Sequence, residues 1–271
     1  MSDDQPSLMR GRRRRLLLAV CAALVAALLA VAALAPLPFS VTYPGSTADV
    51  LGESDGEPVI EISGAPVREP DPSGALLLTT ITATSPDATV RLSDVVSGYL
   101  SPDRAVMPRD SVYPVGDSTE EIREHNTAQM LQSQETAVTA ALDYLGMTAE
   151  EVSVELNLEG VGGPSAGLLF SLGIVNLLQG DGEGGDLTGG RVIAGTGTIA
   201  PDGTVGSVGG VPLKVQAARR DGATVFLVPR DECADAQANL PEGLRLIPVT
   251  TLDGAVDALR ALASGGDVPS C

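Results

Sequence analysis

The sequence predicts a mixed α/β (α+β) body that follows one N-terminal transmembrane helix and a small extracytoplasmic layer of strands and a helix. Three observations predict this organisation. An uncharged apolar run comes first, residues 37–117 are then rich in Pro, Gly, Ser and Asp, and strand-like and helix-like segments alternate from residue 151 onward. A chain of 271 residues is long enough for one domain with a real core and a smaller attached layer.

The run from Leu16 to Ala35 carries no charge and directly follows Arg12–Arg15. As a helix it spans roughly 30 Å, the thickness of the hydrocarbon core of a bilayer. The positive-inside rule then predicts a cytoplasmic N-terminus at 1–15, a transmembrane helix at 16–36 and an extracytoplasmic body at the cell membrane. The alternative is a cleaved signal peptide, but the run is longer than such segments usually are and Pro36 would follow the cut.

The charge balance excludes several kinds of partner. The chain has 35 acidic and 17 basic residues, a net charge of -18, and because residues 1–36 hold five Arg and two Asp the rest carries -21. Such a body repels phosphate backbones, which predicts no nucleic-acid partner. The sequence also has no G-x-x-x-x-G-K-[ST] run, so we expect no bound nucleotide.

Local patterns predict the elements in chain order. Strands are expected at 58–63 and 75–84, within the β-rich segment 37–117. Ser118 with Glu121 forms a capping-box pattern that begins an amphipathic helix over Thr119–Leu145; Gly146 ends it, so 118–146 is one long helix. The block 150–264, which precedes a tail at 265–271, is predicted to contain strands at 152–158, 191–198, 225–228 and 244–249, and helices at 165–178, 211–220, 231–238 and 252–262.

Two glycine motifs suggest activities that their contexts exclude. Gly195–Ala200 fits the dinucleotide pattern G-x-G-x-x-G/A, but Pro201–Gly203 makes a turn where a helix N-terminus is needed, so no cofactor is predicted. Gly163–Gly167 fits the G-x-S-x-G elbow, whose mechanism requires a histidine late in the chain. The single histidine, His125, precedes the serine and is expected on a helix surface. No metal-ligand spacing occurs in the sequence.

Ser165 nevertheless stands at a predicted helix start. Pro164 suits the first helical position, and the backbone around Gly163, Pro164, Ser165 and Ala166 is predicted to form an oxyanion hole. A serine there needs a proton acceptor, and lysine is a known alternative to histidine. Lys214 is the only lysine beside sixteen arginines; a buried ammonium can lose its proton, whereas a guanidinium cannot. The alternative is a surface cation left by codon bias.

The cysteines fit an extracytoplasmic body. Cys21 lies inside the apolar run, which leaves Cys233 and Cys271 in an oxidising compartment. A disulfide between them that pins the C-terminal tail is predicted, with two unrelated free thiols as the alternative.

Over about residues 150–262 the sequence resembles the Lon protease catalytic domain, a Ser-Lys peptidase family. The serine motif Gly163–Gly167 matches the family's nucleophile motif, and Gly209-Gly210 followed by Lys214 is similar to its general-base motif. Thr196-Gly197 is similar to the family's Thr-Gly strand, which implies that Thr196 helps hold the lysine. The resemblance implies the Lon proteolytic-domain fold, Ser165 as nucleophile and Lys214 as base.

The segments outside this domain resemble the membrane-anchored YlbL-like Lon proteases. The residues concerned are Pro44-Gly45, Asp49–Gly52, Leu76–Thr80 and Met130–Gln134. The likeness implies an ATP-independent, membrane-anchored serine endopeptidase for unfolded or flexible extracytoplasmic proteins, and it leaves a homo-oligomer open because Lon relatives often form rings.

Two departures from these relatives stand out. A PDZ domain usually lies between the long helix and the serine domain, whereas here only Met147–Glu151 separates them. Gly162 stands near the position where cytoplasmic Lon has an aspartate. The missing PDZ domain, together with the missing ATPase motif, keeps a second hypothesis open, a catalytically inactive membrane-tethered binding or assembly module with a Lon-like fold.

For Lys214 to act as a base near pH 7, its pKa must fall by about 3 from roughly 10.4. Burial is expected to cause that fall. The predicted apolar surroundings are Val211, Leu213 and Val215 on its own helix, together with a facing helix at 168–178.

Overall fold

A computed structural model describes residues 6–113, 118–158 and 163–271. Among the residues described it has the following helices and strands in chain order: α1 (Pro6–Leu34), β1 (Phe39–Asp49), β2 (Glu53–Ser54), β3 (Glu57–Pro58), β4 (Ile60–Ser63), β5 (Ala75–Ala83), α2 (Leu92–Leu100), β6 (Ala105–Pro108), α3 (Arg109–Val112), α4 (Thr119–Leu145), β7 (Ser153–Leu156), α5 (Gly167–Leu178), β8 (Val192–Gly195), β9 (Thr198–Ile199), β10 (Val205–Gly206), α6 (Val211–Arg220), β11 (Val225–Pro229), α7 (Cys233–Ala238), β12 (Arg245–Val249) and α8 (Leu252–Ala263). Two 3-10 turns, Pro164–Ala166 and Arg230–Glu232, precede α5 and α7.

A six-stranded sheet in the order β12-β11-β8-β5-β1-β6 forms the centre of the body. Its first four strands run parallel, and β1 and β6 are added antiparallel. Strands from the β-rich segment and from the block that begins near residue 150 therefore share one sheet. The mixed α/β fold class predicted from the sequence is confirmed.

Helix α5 is the central buried helix. Every residue from Gly167 to Leu177 is buried, and its side chains share a core with Leu76, Leu78 and Ile193 on one face of the sheet. Helix α6 packs on the other face, where Val211 and Val215 contact a second core that includes Leu77 and Phe226. Because successive residues of β5 point to opposite faces, one strand supplies both cores.

The long helix α4 has the predicted bounds, Thr119–Leu145. The Ser118 hydroxyl accepts a hydrogen bond from the Glu121 backbone N–H at 3.2 Å, and Gly146 ends the helix in the left-handed conformation with φ 67°. Only residues 146–152 then connect α4 to β7, so no further domain lies between them.

The motif Gly195–Ala200 does not begin a helix. Thr198–Ile199 pairs antiparallel with Val205–Gly206 in a short hairpin, and a hairpin offers no helix N-terminus for a pyrophosphate. The turn predicted at Pro201–Gly203 lies between the two strands of this hairpin.

At the N-terminus, residues Arg13–Leu34 of α1 are long and apolar enough to cross a membrane, and within the described ranges no other helix is. Twenty-two residues at about 1.5 Å per residue reach across a hydrocarbon core. The helix is not covered by the rest of the protein.

Candidate active site

The turn that carries Ser165 begins at a backbone position that favours glycine. Gly163 has φ 88°, a left-handed value, and Pro164 then begins a 3-10 turn that continues into α5. Ser165 is half-buried at this helix entrance. The local sequence Gly-Pro-Ser thus places a hydroxyl at the entrance of a buried helix.

Neighbouring elements hold this turn at its carbonyl groups. The Ser165 carbonyl accepts hydrogen bonds from the Gly197 backbone N–H at 3.0 Å and from Thr196 Oγ1 at 3.2 Å. The Pro164 carbonyl accepts one from Ser133 Oγ of α4 at 3.1 Å. Ser133 is buried. It belongs to Met130–Gln134, a segment that resembles the YlbL-like proteases, but its contact with the serine turn was not predicted.

Lys214 occupies the first turn of α6. Gly210 precedes this helix in the left-handed conformation with φ 74°, and Pro212 stands in its first turn. The lysine is 3% exposed, and its Nζ donates a hydrogen bond to Thr196 Oγ1 at 3.0 Å. Burial lowers the pKa of the Lys214 ammonium from 10.5 to about 8. The neutral and charged forms of this amine are therefore about equally populated near pH 8.

The apolar surroundings of Lys214 differ in part from those predicted. Val211, Leu213 and Val215 are buried, as expected. The prediction that the helix at 168–178 faces the lysine helix is wrong: α6 packs on β1, β5, β8 and α7, whereas α5 packs on the opposite face of the sheet. The sheet on which α6 packs excludes water from this side chain. The order of its strands could not be predicted from sequence periodicity.

Glu232 is a charged group that sequence reasoning missed. It is 8% exposed, lies in the 3-10 turn after β11, and accepts a hydrogen bond from the Val208 backbone N–H at 3.0 Å. Burial raises the pKa of its carboxyl, and its negative charge raises the pKa of Lys214 against the stronger effect of burial. Nothing local marks Glu232 in the sequence. It comes near Lys214 because β8 and β11 are parallel neighbours, so that the loops after them meet at one edge of the sheet.

The two principal candidates are linked through Thr196. Its hydroxyl hydrogen is donated to the Ser165 carbonyl, so its lone pairs can accept from the lysine amine. Both Ser165 and Lys214 belong to the described residues, and no hydrogen bond joins Oγ of the first to Nζ of the second. In enzymes without bound substrate such contacts are often long.

Fewer backbone N–H groups are available for the predicted oxyanion hole than the four residues named for it. Pro164 has no backbone N–H and cannot donate. The Gly163 N–H points to the Asn126 carbonyl at 3.5 Å. The backbone N–H groups of Ser165 and Ala166 remain the candidates. Gly162 lies outside the described residues.

His125, Cys233 and Cys271 are the other side chains that the sequence singled out, and none of them joins the hydrogen bonds between Ser165, Thr196 and Lys214. His125 is half-buried on α4, and no hydrogen bond connects it with Ser165 in the part of the chain described. Cys233 and Cys271 form a disulfide, with a Cα–Cα distance of 5.3 Å, that ties the C-terminal tail to the start of α7. Cys233 directly follows Glu232, so this bond also restrains the turn that carries the buried carboxylate.

A serine at a helix entrance, with a buried lysine held beside its turn by a threonine, is an arrangement of serine hydrolases that use a lysine base. Residues 118–261 match the family of Lon protease (S16) C-terminal proteolytic domains. The chain belongs to this family and therefore carries a serine-type peptidase domain.

Individual relatives agree with this assignment. Lon protease 2 of Bacillus subtilis is 28% identical over 150 residues, which cover 54% of this chain and 25% of the relative. Lon protease of Azospirillum brasilense is 37% identical over 94 residues, 34% of this chain and 11% of the relative. Lon protease of Xanthomonas oryzae is 28% identical over 148 residues, which cover 48% of this chain and 17% of the relative. The chain spans a quarter or less of the length of these relatives.

Proposed function

We propose that the protein is a membrane-anchored, ATP-independent serine endopeptidase with Ser165 as nucleophile and Lys214 as general base. The observation that carries this proposal is the buried Lys214 amine, hydrogen-bonded at 3.0 Å to the threonine whose hydroxyl also holds the Ser165 turn. Lys214 forms no ion pair with a carboxylate among the residues that the structure describes, and burial lowers its pKa to about 8, so it is poised to accept a proton.

In the proposed reaction, Ser165 Oγ attacks a peptide carbonyl carbon while its proton moves to the neutral amine of Lys214. The C–N bond then breaks, Lys214 returns the proton to the leaving amine, and an acyl-enzyme on Ser165 remains. Water, deprotonated by the same amine, hydrolyses this ester. Thr196 takes one N–H of the amine, which leaves the nitrogen lone pair free for the serine proton.

A groove whose wall residue Asn126 contacts the serine turn is the proposed substrate site. It has a volume of about 1040 Å³ and runs along α4, between the β2–β3 hairpin and the end of β7. Asn126, whose carbonyl receives the Gly163 N–H, lies in its wall together with apolar Met130 and Leu156. Such a mixed, elongated surface suits an extended peptide. Without a nucleotide-binding motif to power unfolding, we expect unfolded or flexible protein segments as substrates.

The proposed location is the outer side of the cell membrane, with α1 as a single-pass anchor and the N-terminus in the cytoplasm. Two observations support this location. The apolar helix Arg13–Leu34 has arginines at its N-terminal end, and the disulfide between Cys233 and Cys271 suits an oxidising compartment. The proposal keeps the division of the chain into cytoplasmic residues 1–15, an anchor at 16–36 and an extracytoplasmic remainder.

Labelling of the full-length protein with a fluorophosphonate tests the catalytic roles. We expect labelling of the wild type and of Ser207→Ala, a control that removes an exposed serine from the loop before α6. Labelling should be lost in Ser165→Ala and strongly reduced in Lys214→Met. Lys214→Arg keeps the charge but cannot become neutral, so it should also be inactive. Cleavage of unfolded casein without ATP should follow the same order.

Two results would refute parts of the proposal. Labelling that persists in Lys214→Met removes the lysine from the mechanism. A wild type that is neither labelled nor able to cleave casein supports instead the binding or assembly module, which the missing hydrogen bond between Ser165 Oγ and Lys214 Nζ would then explain.

A further inference from the structure

Helix α2 presents an uncovered apolar face. Its residues Leu92, Val96, Tyr99 and Leu100 are 42%, 49%, 84% and 76% exposed. These positions follow the spacing i, i+4, i+7, i+8, so they form one stripe along the helix. No other described element covers that stripe. This nine-residue helix was not predicted, because it lies within residues 37–117, whose Pro, Gly, Ser and Asp content favoured a β-rich segment.

The opposite side of α2 holds it firmly on the body. Gly98 is buried against β1 and β6, and a Cβ atom there would come within 2.7 Å of Val106 Cγ2. The Ser97 hydroxyl accepts a hydrogen bond from Arg104 Nη1 at 3.2 Å, and the helix N-terminus has the Asp94 carboxylate bonded to the Arg91 backbone N–H at 2.9 Å. The outward stripe is therefore a fixed surface of the body.

This surface lies where the apolar helix α1 ends. Helix α2 contacts α1, and the backbone N–H of Leu37 donates to the carbonyl of Val90 at 2.9 Å. Only Ala35 and Pro36 separate the last residue of α1 from that hydrogen bond. The exposed side chains of α2 are thus held next to the point where the chain would leave the bilayer.

We propose that α2 lies in the outer interface of the bilayer that α1 crosses, with Leu92, Val96, Tyr99 and Leu100 inserted between headgroups and acyl chains. This inference rests on the proposed role of α1 as a membrane anchor. The stripe carries no charge, and the body is strongly acidic, so apolar burial and not attraction to anionic lipid provides the contact. Tyrosine is enriched at this depth of a bilayer.

A second membrane contact fixes the orientation of the body. Gln216 of α6, two residues after Lys214, donates to the carbonyl of Pro102, directly after α2, at 2.9 Å. Pro86, between β5 and α2, lines the proposed substrate groove. Insertion of α2 therefore holds the end of that groove at Pro86 near the membrane.

Single tryptophan reporters in the full-length chain test the inference, because the sequence has no tryptophan of its own. The protein is reconstituted in phosphatidylcholine vesicles that carry no bromine, or whose acyl chains are brominated either near the headgroup or near the chain end. Tyr99→Trp should lose most of its emission in brominated lipid. Val67→Trp is the control: it is 48% exposed and precedes β5 at the Asp49 end of β1, away from Phe39, and it should keep its emission.

A third reporter, Leu24→Trp within α1, separates this inference from the anchor itself. Quenching of Leu24→Trp and Tyr99→Trp but not Val67→Trp supports the proposal. Quenching of Leu24→Trp alone overturns the inference for α2 and leaves the anchor; a blue-shifted but unquenched Tyr99→Trp would then mean that protein, such as a second copy, covers the stripe. No quenching of Leu24→Trp overturns the anchor, and the proposal for α2 with it. Added anionic lipid should not increase the quenching of Tyr99→Trp.

Discussion

Lys214 and Glu232 are buried at the same edge of the sheet, and each favours the charged form of the other. Burial opposes this effect and is stronger at the lysine, whose pKa falls to about 8. A base can accept a proton only when it is neutral. Burial of Lys214 and the charge of Glu232 together therefore set the pH at which Lys214 can act as the base for Ser165.

The first prediction concerns the pH dependence of activity. The acid limb of kcat/KM against pH should have a midpoint near 8, because Lys214 must lose its proton. Glu232→Gln removes the negative charge and should move this midpoint to lower pH, while its side-chain oxygen can still accept from Val208. Asp235→Asn is the matched control. It removes a charge that acts on Glu232 but not directly on Lys214, so it should shift the midpoint less. An unchanged midpoint in Glu232→Gln would show that this charge does not act on the base.

Stability should respond to Lys214 in the opposite sense to activity. A pKa lowered from 10.5 to about 8 corresponds to about 3 kcal/mol for burying the charged form. Lys214→Met should therefore raise the free energy of unfolding by up to that amount below pH 8. Wild-type stability rises with pH between about 8 and 10.5, because the unfolded state binds more protons there, so the advantage of Lys214→Met should vanish above this range.

Thermal unfolding in detergent at pH 7 and pH 10.5 measures this difference. Lys214→Arg is the control: its guanidinium stays charged at both values, so no such pH-dependent change should occur. An advantage of Lys214→Met that is equal at both pH values would contradict the lowered lysine pKa.

Thr196→Val tests the link between base and nucleophile. The residue is fully buried, so valine preserves the shape but removes the acceptor of the lysine N–H and the donor to the Ser165 carbonyl. We expect kcat to fall by about 10- to 100-fold, the value of one hydrogen bond to a charged group. KM should change little, because Thr196 does not line the groove. Thr196→Ser keeps the hydroxyl and should restore most of the activity, and equal losses in both variants would argue for a packing role alone.

The disulfide between Cys233 and Cys271 should stabilise the body. It joins residues 38 apart, and closing a loop of that length restricts the unfolded chain by about 2–4 kcal/mol. The double variant Cys233→Ser/Cys271→Ser should lower Tm, and reduction of the wild type should have the same effect. Cys21→Ser, which alters the free cysteine in α1, is the control and should leave Tm unchanged. A wild type whose Tm is insensitive to reduction would show that the bond is not formed.

Local residues were sufficient to predict several elements at their correct bounds. Helix α6 begins at Val211 and α4 spans Thr119–Leu145 as predicted, because left-handed glycines and a capping serine mark their ends. Strand β1 was missed, since Pro44-Gly45 interrupts its pattern and the register shifts between Pro44 and Thr47. Pro-Gly usually indicates a turn, but here a bulge accommodates these two residues and the strand continues through them.

The sequence by itself determined the reactive groups: one lysine, one serine after Gly-Pro, and an apolar helix behind a cluster of arginines. Caps, turns and periodicity act over a few residues, so they could be found without coordinates. Only the tertiary structure decided what surrounds those groups, namely Glu232 near Lys214, α5 on the opposite face of the sheet from α6, and α2 beside the end of α1. Burial and charge act through space, and the strand order β12-β11-β8-β5-β1-β6 brings together residues that no local pattern relates.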